Sequence, residues 1–455
     1  MPIFDIAGFY FLLQMVMHPK KGINHENDNN ICTTIRIFWS IWNNSTSASN
    51  TNQVSQNLET AIPQQKQIVI GNWDEFNSRK IDRLIQEAKQ KPAHSLYAVF
   101  DFDNTTAFLD IEEATLIYQL ENLKFSMKPE ILKEIIYKDI PPSNFNSDYN
   151  NKNHQPVNIN LIGQDIIDSY TWLYNNYSGF AGNKTLDEIK KNSNYMNFIV
   201  KMRYVYDAIG GSFDHEVSYP WVTYLFSGMS KKEVADLVHD TIEWQNNQPI
   251  GKVTWVSPAD MAGRAGIVSV TWKNGFRLIP EMQTLYKNLQ QAGVDVYVIS
   301  ASALDVIKSI VTTEKYGFSV PESHVYAMHP LYDKEGRLTH SLDPYYPQTQ
   351  GKGKTETIKK FIQQHYKNTG PILVAGDSEG DQNMMSDFND TNCVLIINRL
   401  RSSDTIIGEL SAKAVRDYNK DDAKILLQGR DENKGEFLPS QSSILMGTNN
   451  KVSLP

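Results

Sequence analysis

The stretch Leu96-Tyr97-Ala98-Val99-Phe100-Asp101-Phe102-Asp103-Asn104-Thr105 decides the fold. Its apolar run, Leu96 to Phe100, is short and bounded by Ser95 and Asp101, which suits a strand buried on both faces. The run ends in two carboxylates. At the rim of a sheet such a pair can divide the work, one attacking while the other moves protons. Taken alone, Asp-x-Asp after a strand is more often a solvated turn, because Asp bonds well to its own backbone. Asn104-Thr105-Thr106 also matches a glycosylation acceptor, but it abuts a strand that is expected to be buried.

Further along, Pro280 sits at a plausible first helical turn, and Met282, Leu285, Tyr286 and Leu289 recur at helical spacing up to Gly293. A strand over Val294 to Ile299 follows, then a helix over Leu304 to Ile310, an amphipathic helix over Lys354 to His365, and strands Ile372 to Ala375 and Val394 to Ile397. Strands alternating with helices predict an α/β fold, a Rossmann-like parallel sheet with helices on both faces. About 170 residues separate the first strand from this second unit, too many for a loop in a compact sheet. They are predicted to fold by themselves as a large, mainly helical inserted cap, starting with a helix over Ile111 to Leu123 and rich in aromatics such as Tyr170, Trp172, Tyr204, Tyr219, Trp221 and Tyr224. The Asn-rich piece Ser143 to Asn160 reads as a surface loop or linker. The expected domains are a leader over 1–65, a core over 66–106 and 275–430, a cap over 107–274 and a tail over 431–455.

The chain has 455 residues, 40% of them apolar and 21% charged, which excludes collagen-like, disulfide-scaffold and disordered classes. Its 44 Lys and Arg against 52 Asp and Glu give a formal charge of -8, so no bulk attraction for nucleic acid is expected. Cys32 and Cys393 are too far apart in sequence to suggest a metal or redox motif. Near the amino terminus, the run Ile3 to Met17 is too short to span a bilayer and has no Lys or Arg before it. A second run, Ile37 to Trp42, follows Lys20, Lys21 and Arg36 and precedes the small polar stretch Asn43 to Asn50, so either a poor signal peptide or a disordered leader fits. Nothing later approaches the roughly 20 apolar residues of a membrane span.

Three more strand-end features give the Asp pair its meaning. Ser300 closes the strand Val294 to Ile299 and could donate to a phosphoryl oxygen. Gly351-Lys352-Gly353-Lys354-Thr355 opens the next helix and brings a cation to a phosphate-sized ligand, while its likeness to a nucleotide-binding P-loop fails because Gln348 stands where that motif has its first Gly. Gly376-Asp377-Ser378-Glu379-Gly380-Asp381 is an acidic turn after a strand. Its oxygens, joined to Asp101, would make a hard pocket suited to magnesium rather than zinc.

In this order the four features resemble the motifs of the haloacid dehalogenase-like phosphatase superfamily, over about residues 95 to 400. The second acid, Asp103, implies a phosphatase or phosphotransferase, since related dehalogenases lack it and ion-pumping ATPases carry Thr there. A narrower likeness is to bacterial phosphorylcholine phosphatases, through Asp101 to Thr105 followed by Glu112-Glu113, through Val296 to Ser302, and through the tail Gln428-Gly429-Arg430-Asp431-Glu432-Asn433. Proteins of that family are commonly exported, which implies a periplasmic or secreted location, with cytoplasmic as the alternative.

The resemblance implies Asp101 as nucleophile, Asp103 as general acid and base, and Ser300 and Lys354 as ligands of the phosphoryl oxygens, with Lys352 the runner-up cation. Thr105 would orient Asp103 or its loop, and Asp381 would orient Lys354 or metal-bound water. Mg2+ would be held among Asp101, Asp377, Asp381 and Asp103, the last plausibly through its backbone carbonyl. Asp110 or Glu113, Glu113 preferred, would face a cationic substrate group, with Trp221, Tyr219 and Trp255 as candidate rings around it. The implied substrate is a small cationic or zwitterionic phosphate ester, phosphorylcholine first. Phosphoserine or a sugar phosphate is the alternative, and a binding protein without turnover the rival from another class.

Overall fold

The structure, a computed structural model, describes residues 68–455. The leader readings and Cys32 lie outside the described residues. A helix α1 (Glu75–Ala88), capped by the Asp74 carboxylate, precedes strand β1 (Leu96–Phe100). After β1 come helices α2 (Ile111–Asn122), α3 (Pro129–Tyr137), α4 (Ile159–Asn176), α5 (Ser193–Ser212), α6 (His215–Thr223) and α7 (Lys231–Asn246), then an antiparallel pair β2 (Gly251–Val256) and β3 (Ser269–Asn274). Helix α8 (Pro280–Gln291) leads to β4 (Val294–Ala303), α9 (Leu304–Val311) and β5 (Val325–Met328). Helix α10 (Lys352–Thr357), β6 (Leu373–Gly376), β7 (Cys393–Ile397), α11 (Ile406–Arg416) and β8 (Ile425–Gln428) follow.

The sheet is six-stranded and parallel, in the order β8-β7-β6-β1-β4-β5. Because side chains alternate along a strand, β1 supplies both of the cores that cover the sheet. Ala98 and Phe100 pack with Val294, Val296, Val298 and Leu285 on one face, while Tyr97 and Val99 pack with Tyr297, Ile299 and Ile358 on the other. This explains why the strand reads as uninterrupted apolar sequence. Helix α8 begins at Pro280, buries Met282, Leu285, Tyr286 and Leu289, and stops before Gly293, whose φ of +78° only glycine adopts without strain.

The segment between β1 and β4 has a separate core built from α2 to α5 and the β2–β3 pair, including Ile162, Ile166, Phe198, Tyr204 and Trp272. A buried ion pair locks it. Lys201 Nζ reaches Asp165 Oδ2 at 2.8 Å, and Asp165 also accepts from the N–H groups of Arg264 and Ala265. Lys201→Met would strand a buried carboxylate, and we expect a loss of about 3–5 kcal/mol in urea unfolding. A change within 1 kcal/mol would mean that the backbone donors alone suffice.

Several sequence expectations are corrected here. The predicted helix Lys354 to His365 begins at Lys352 and passes into a π turn, Ile358–Ile362, and a 3-10 turn, Gln363–Tyr366. Ser143 to Asn160 is not wholly loop, since it holds a 3-10 turn, Ser147–Tyr149, and the start of α4. Residues beyond β8 form a second, four-stranded sheet of β9 (Arg430–Asp431), β10 (Glu436–Phe437), β11 (Ser443–Ile444) and β12 (Lys451–Val452), in the order β10-β9-β11-β12. Two-residue strands are too short to display alternation in a sequence. No helix among the described residues is long and apolar enough to cross a membrane.

Candidate active site at the carboxyl rim of the sheet

Asp101 follows β1 and stays in register with the sheet, its N–H donating to the Ala375 carbonyl of β6. The chain then turns sharply. The Phe102 carbonyl accepts from the N–H groups of Thr105, Thr106 and Ala107, Asn104 takes the left-handed conformation with φ +62°, and Thr106 Oγ1 donates to the Asp101 carbonyl at 2.7 Å. Asn tolerates that conformation better than most residues. Asp101 and Asp103 are therefore held on a turn that its own hydrogen bonds define.

The motifs converge here. Lys354, on the first turn of α10, is 2% exposed, and its Nζ lies 2.6 Å from both Asp101 Oδ1 and Asp381 Oδ1. Carboxylate oxygens of Asp101, Asp377 and Asp381 lie within 4.8 Å of one another. Lys352 is exposed and lines a different pocket, so of the two lysines it is Lys354 that the fold brings to the acids. Thr105 does not orient Asp103. Its hydroxyl lies 2.9 Å from Asp101 Oδ2 and 3.0 Å from Asp377 Oδ1, because the turn after Phe102 aims it back beneath the sheet rim.

Asp103 is placed apart from the three clustered acids. Its Oδ1 accepts from Ile111 N–H at 2.8 Å and its Oδ2 from Ser302 Oγ at 2.7 Å and Ser300 Oγ at 3.3 Å. Its carboxylate is thus committed to these donors, which leaves the backbone carbonyl as the atom through which Asp103 is expected to reach a metal. Both hydroxyls meet Asp103, but Ser300 is fully buried and off the cavity wall, while Ser302, two residues on and on the same face of the strand, lines the cavity.

The cavity measures about 360 Å³ and is lined on its other side by the inserted segment. Asp110, Glu112 and Glu113 approach from the start of α2, Tyr206 and Asp207 from α5, Tyr149 from the 3-10 turn, and His215 and Tyr219 from α6. Glu113 is paired with Arg203, which also holds Asp207. Glu112 is 4% exposed and accepts from Ala303 N–H. Of the three predicted rings, Tyr219 lines the cavity and the other two do not. Trp221 is buried in the core of the inserted segment with its Nε1 donating to the Ile135 carbonyl, and the half-buried Trp255 packs edge-on against Trp272 of that core. Sequence reasoning missed Arg399, whose Nη1 lies 2.5 Å from Asp377 Oδ2; it follows β7 without any motif to mark it.

The electrostatics follow from this burial. Desolvation, then the neighbouring Asp381, push the Asp101 carboxyl up to about 8 despite Lys354. Burial and then Asp110 and Asp101 hold Asp103 well above the usual carboxylate range, and burial and Asp110 do the same to Glu112. Burial alone would lower the Lys354 ammonium, but Asp101 and Asp381 hold it above its ordinary value. The site is short of positive charge.

No family model matches the sequence. A phosphorylcholine phosphatase of Pseudomonas aeruginosa is 24% identical over 357 residues, covering 73% of this chain and 82% of that protein. A conserved protein of unknown function from Anaerococcus prevotii, solved as a crystal structure, superposes with a TM-score of 0.77 at 34% identity, over 84% of this chain and 99% of its own. The chain shares the fold of the Anaerococcus protein and is similar in sequence to the Pseudomonas phosphatase. The rim cluster holds what the sequence motifs lead one to look for: an Asp pair on the central strand, a lysine opening a helix and an acidic turn beyond the neighbouring strand. The cavity above them is where the substrate class has to be read.

Proposed function

We propose that this protein is a phosphatase that hydrolyses the monoester of a small cationic or zwitterionic alcohol, with phosphorylcholine the leading candidate, through an aspartyl-phosphate on Asp101. The observation that carries the reading is the charge of the cavity. Asp101, Asp103, Asp110, Glu112, Glu113, Asp207, Asp377 and Asp381 line it, against Lys354 and Arg399 in the wall and Arg203 behind Glu113 and Asp207, which leaves the wall acidic. Buried carboxylates without partners are costly, and a cation relieves them. Tyr206, Tyr219 and Tyr149 add ring faces or edges beside the acids, a composition suited to a quaternary ammonium. The likeness to the Pseudomonas phosphorylcholine phosphatase supports the same substrate.

The residues divide the work as follows. Asp101 attacks phosphorus, and Lys354 and Ser302 bind non-bridging oxygens. Asp103, kept protonated by burial, gives its proton to the leaving alcohol and in the second step takes one from the attacking water. Thr105 fixes the mutual orientation of Asp101 and Asp377. The donor set fits a hard divalent ion such as Mg2+. Asp381 spends Oδ1 on Lys354 and Oδ2 on the N–H groups of Asp377 and Ser378, which leaves Asp101 Oδ2 and Asp377 Oδ1, facing each other across the Thr105 hydroxyl, as direct ligands. When bound, such an ion would offset negative charge on the transferring group.

The test compares phosphorylcholine with its neutral isostere 3,3-dimethylbutyl phosphate, and with phosphoserine and glucose 6-phosphate, all with Mg2+. We expect kcat/KM for phosphorylcholine to exceed that for the neutral isostere by about 10- to 100-fold, from cation–π and carboxylate contacts. Equal values for the two, or a preference for the sugar phosphate, would overturn the cationic-substrate reading.

A further inference from the structure

The turn that carries Asp103 is gripped from a part of the chain that the mechanism above does not use. Arg430, on β9, is 2% exposed. Its Nη1 lies 3.2 Å from the Asn104 carbonyl and 3.3 Å from Asn104 Oδ1, and its Nη2 lies 3.3 Å from the same Oδ1. The guanidinium also sits over the Phe108 ring, 5.3 Å from its centroid, so one side chain braces from outside a turn that its own hydrogen bonds define. The residue before Arg430 packs against the neighbouring loop of the second sheet. A Cβ on Gly429 would fall 2.0 Å from the Ser442 carbonyl oxygen.

Arg430 is fixed in turn by Glu432, 1% exposed, whose Oε1 accepts from Nη2 at 2.6 Å. The other oxygen of Glu432 accepts from Met446 N–H at 3.1 Å and from Lys273 Nζ at 2.7 Å. Lys273 belongs to β3 of the inserted segment. One buried carboxylate therefore joins the second sheet, the inserted segment and, through Arg430, the Asn104 turn. A merely structural brace could sit anywhere along the sheet. This one ends on the residue between Asp103 and Thr105, in the left-handed conformation that sets the direction of both neighbours.

We infer that Arg430 and Glu432 are positioning residues for phosphoryl transfer, clamping the Asn104 turn to the inserted segment through Lys273. The inference rests on the reading of Asp101 and Asp103 given above. Its physical basis is that a reacting group displaced by about 1 Å loses on the order of 100-fold in rate, without a matching loss of binding.

The test uses the full chain with Mg2+ and p-nitrophenyl phosphate as probe, with kcat and KM read separately and folding followed by circular dichroism. Arg430→Ala is expected to lower kcat about 100-fold while KM changes less than about threefold, and millimolar guanidinium is expected to restore about tenfold of that loss. Lys273 is 36% exposed at its side chain, so Lys273→Met should fold even if Arg430→Ala does not, and it is expected to lower kcat about tenfold. Wild-type kcat in Lys273→Met, or a folded Arg430→Ala that guanidinium does not revive, overturns the inference. A wild-type protein that hydrolyses no phosphate ester fails earlier, and in that case the functional reading is what falls.

Discussion

Asp101→Asn is expected to lower kcat by at least about 10⁴-fold while leaving the fold in place. An amide keeps the size of the side chain and its place beside Ala375, but it cannot form the acyl phosphate on which the two-step route depends. Folding should survive for a specific reason. The substitution removes one of three crowded acids, and Lys354 keeps its 2.6 Å contact with Asp381 Oδ1. Steady-state kinetics on phosphorylcholine, with urea unfolding in parallel, separate the two effects. Activity within tenfold of wild type would show that another group is the nucleophile, whereas loss of both activity and fold would show that the Asp101–Lys354 pair is needed for structure.

Chelation is expected to be nearly as severe. Burial and Asp381 hold Asp101 above the usual carboxylate range, so a cation bound beside it would favour the ionised form that attacks. A divalent ion at Asp101 and Asp377 would reverse that shift. Removing it with EDTA should cost about 10³-fold or more in turnover, restored by Mg2+. A readout besides activity exists. Mg2+ should raise the melting temperature of the wild type through binding linkage, and Asp377→Asn should lose that rise. An EDTA-treated enzyme as active as the magnesium-loaded one would remove the metal from the proposal.

The sheet was legible because β1 and β4 are buried on both faces, so each reads as an apolar run ending in polar residues at the rim. The residues around the cluster were legible in proportion to their local context. Asp101, Lys354, Asp377 and Asp381 stand at strand or helix ends and are brought together, while Ser300 and Ser302 share a strand face and could not be told apart by position alone. The cavity wall was the hardest part to read. Tyr206 and Asp207 on α5 look like any other aromatic and acid on a helix, and Trp221 and Trp255 were attractive for their ring area although packing consumed both. Arg399 and Arg430 act across long sequence separations on Asp377 and Asn104, and no local pattern announces such a pairing.

The pairing of β1 has a consequence for how the molecule is made. Leu96 takes Val294 as its partner and Ala98 takes Leu373, so during synthesis the central strand waits, unpaired on both edges, while the whole inserted segment emerges and collapses on its own contacts. Catalytic competence is therefore the last property the nascent chain acquires, and incomplete chains present a sticky apolar edge with no chemistry to offer.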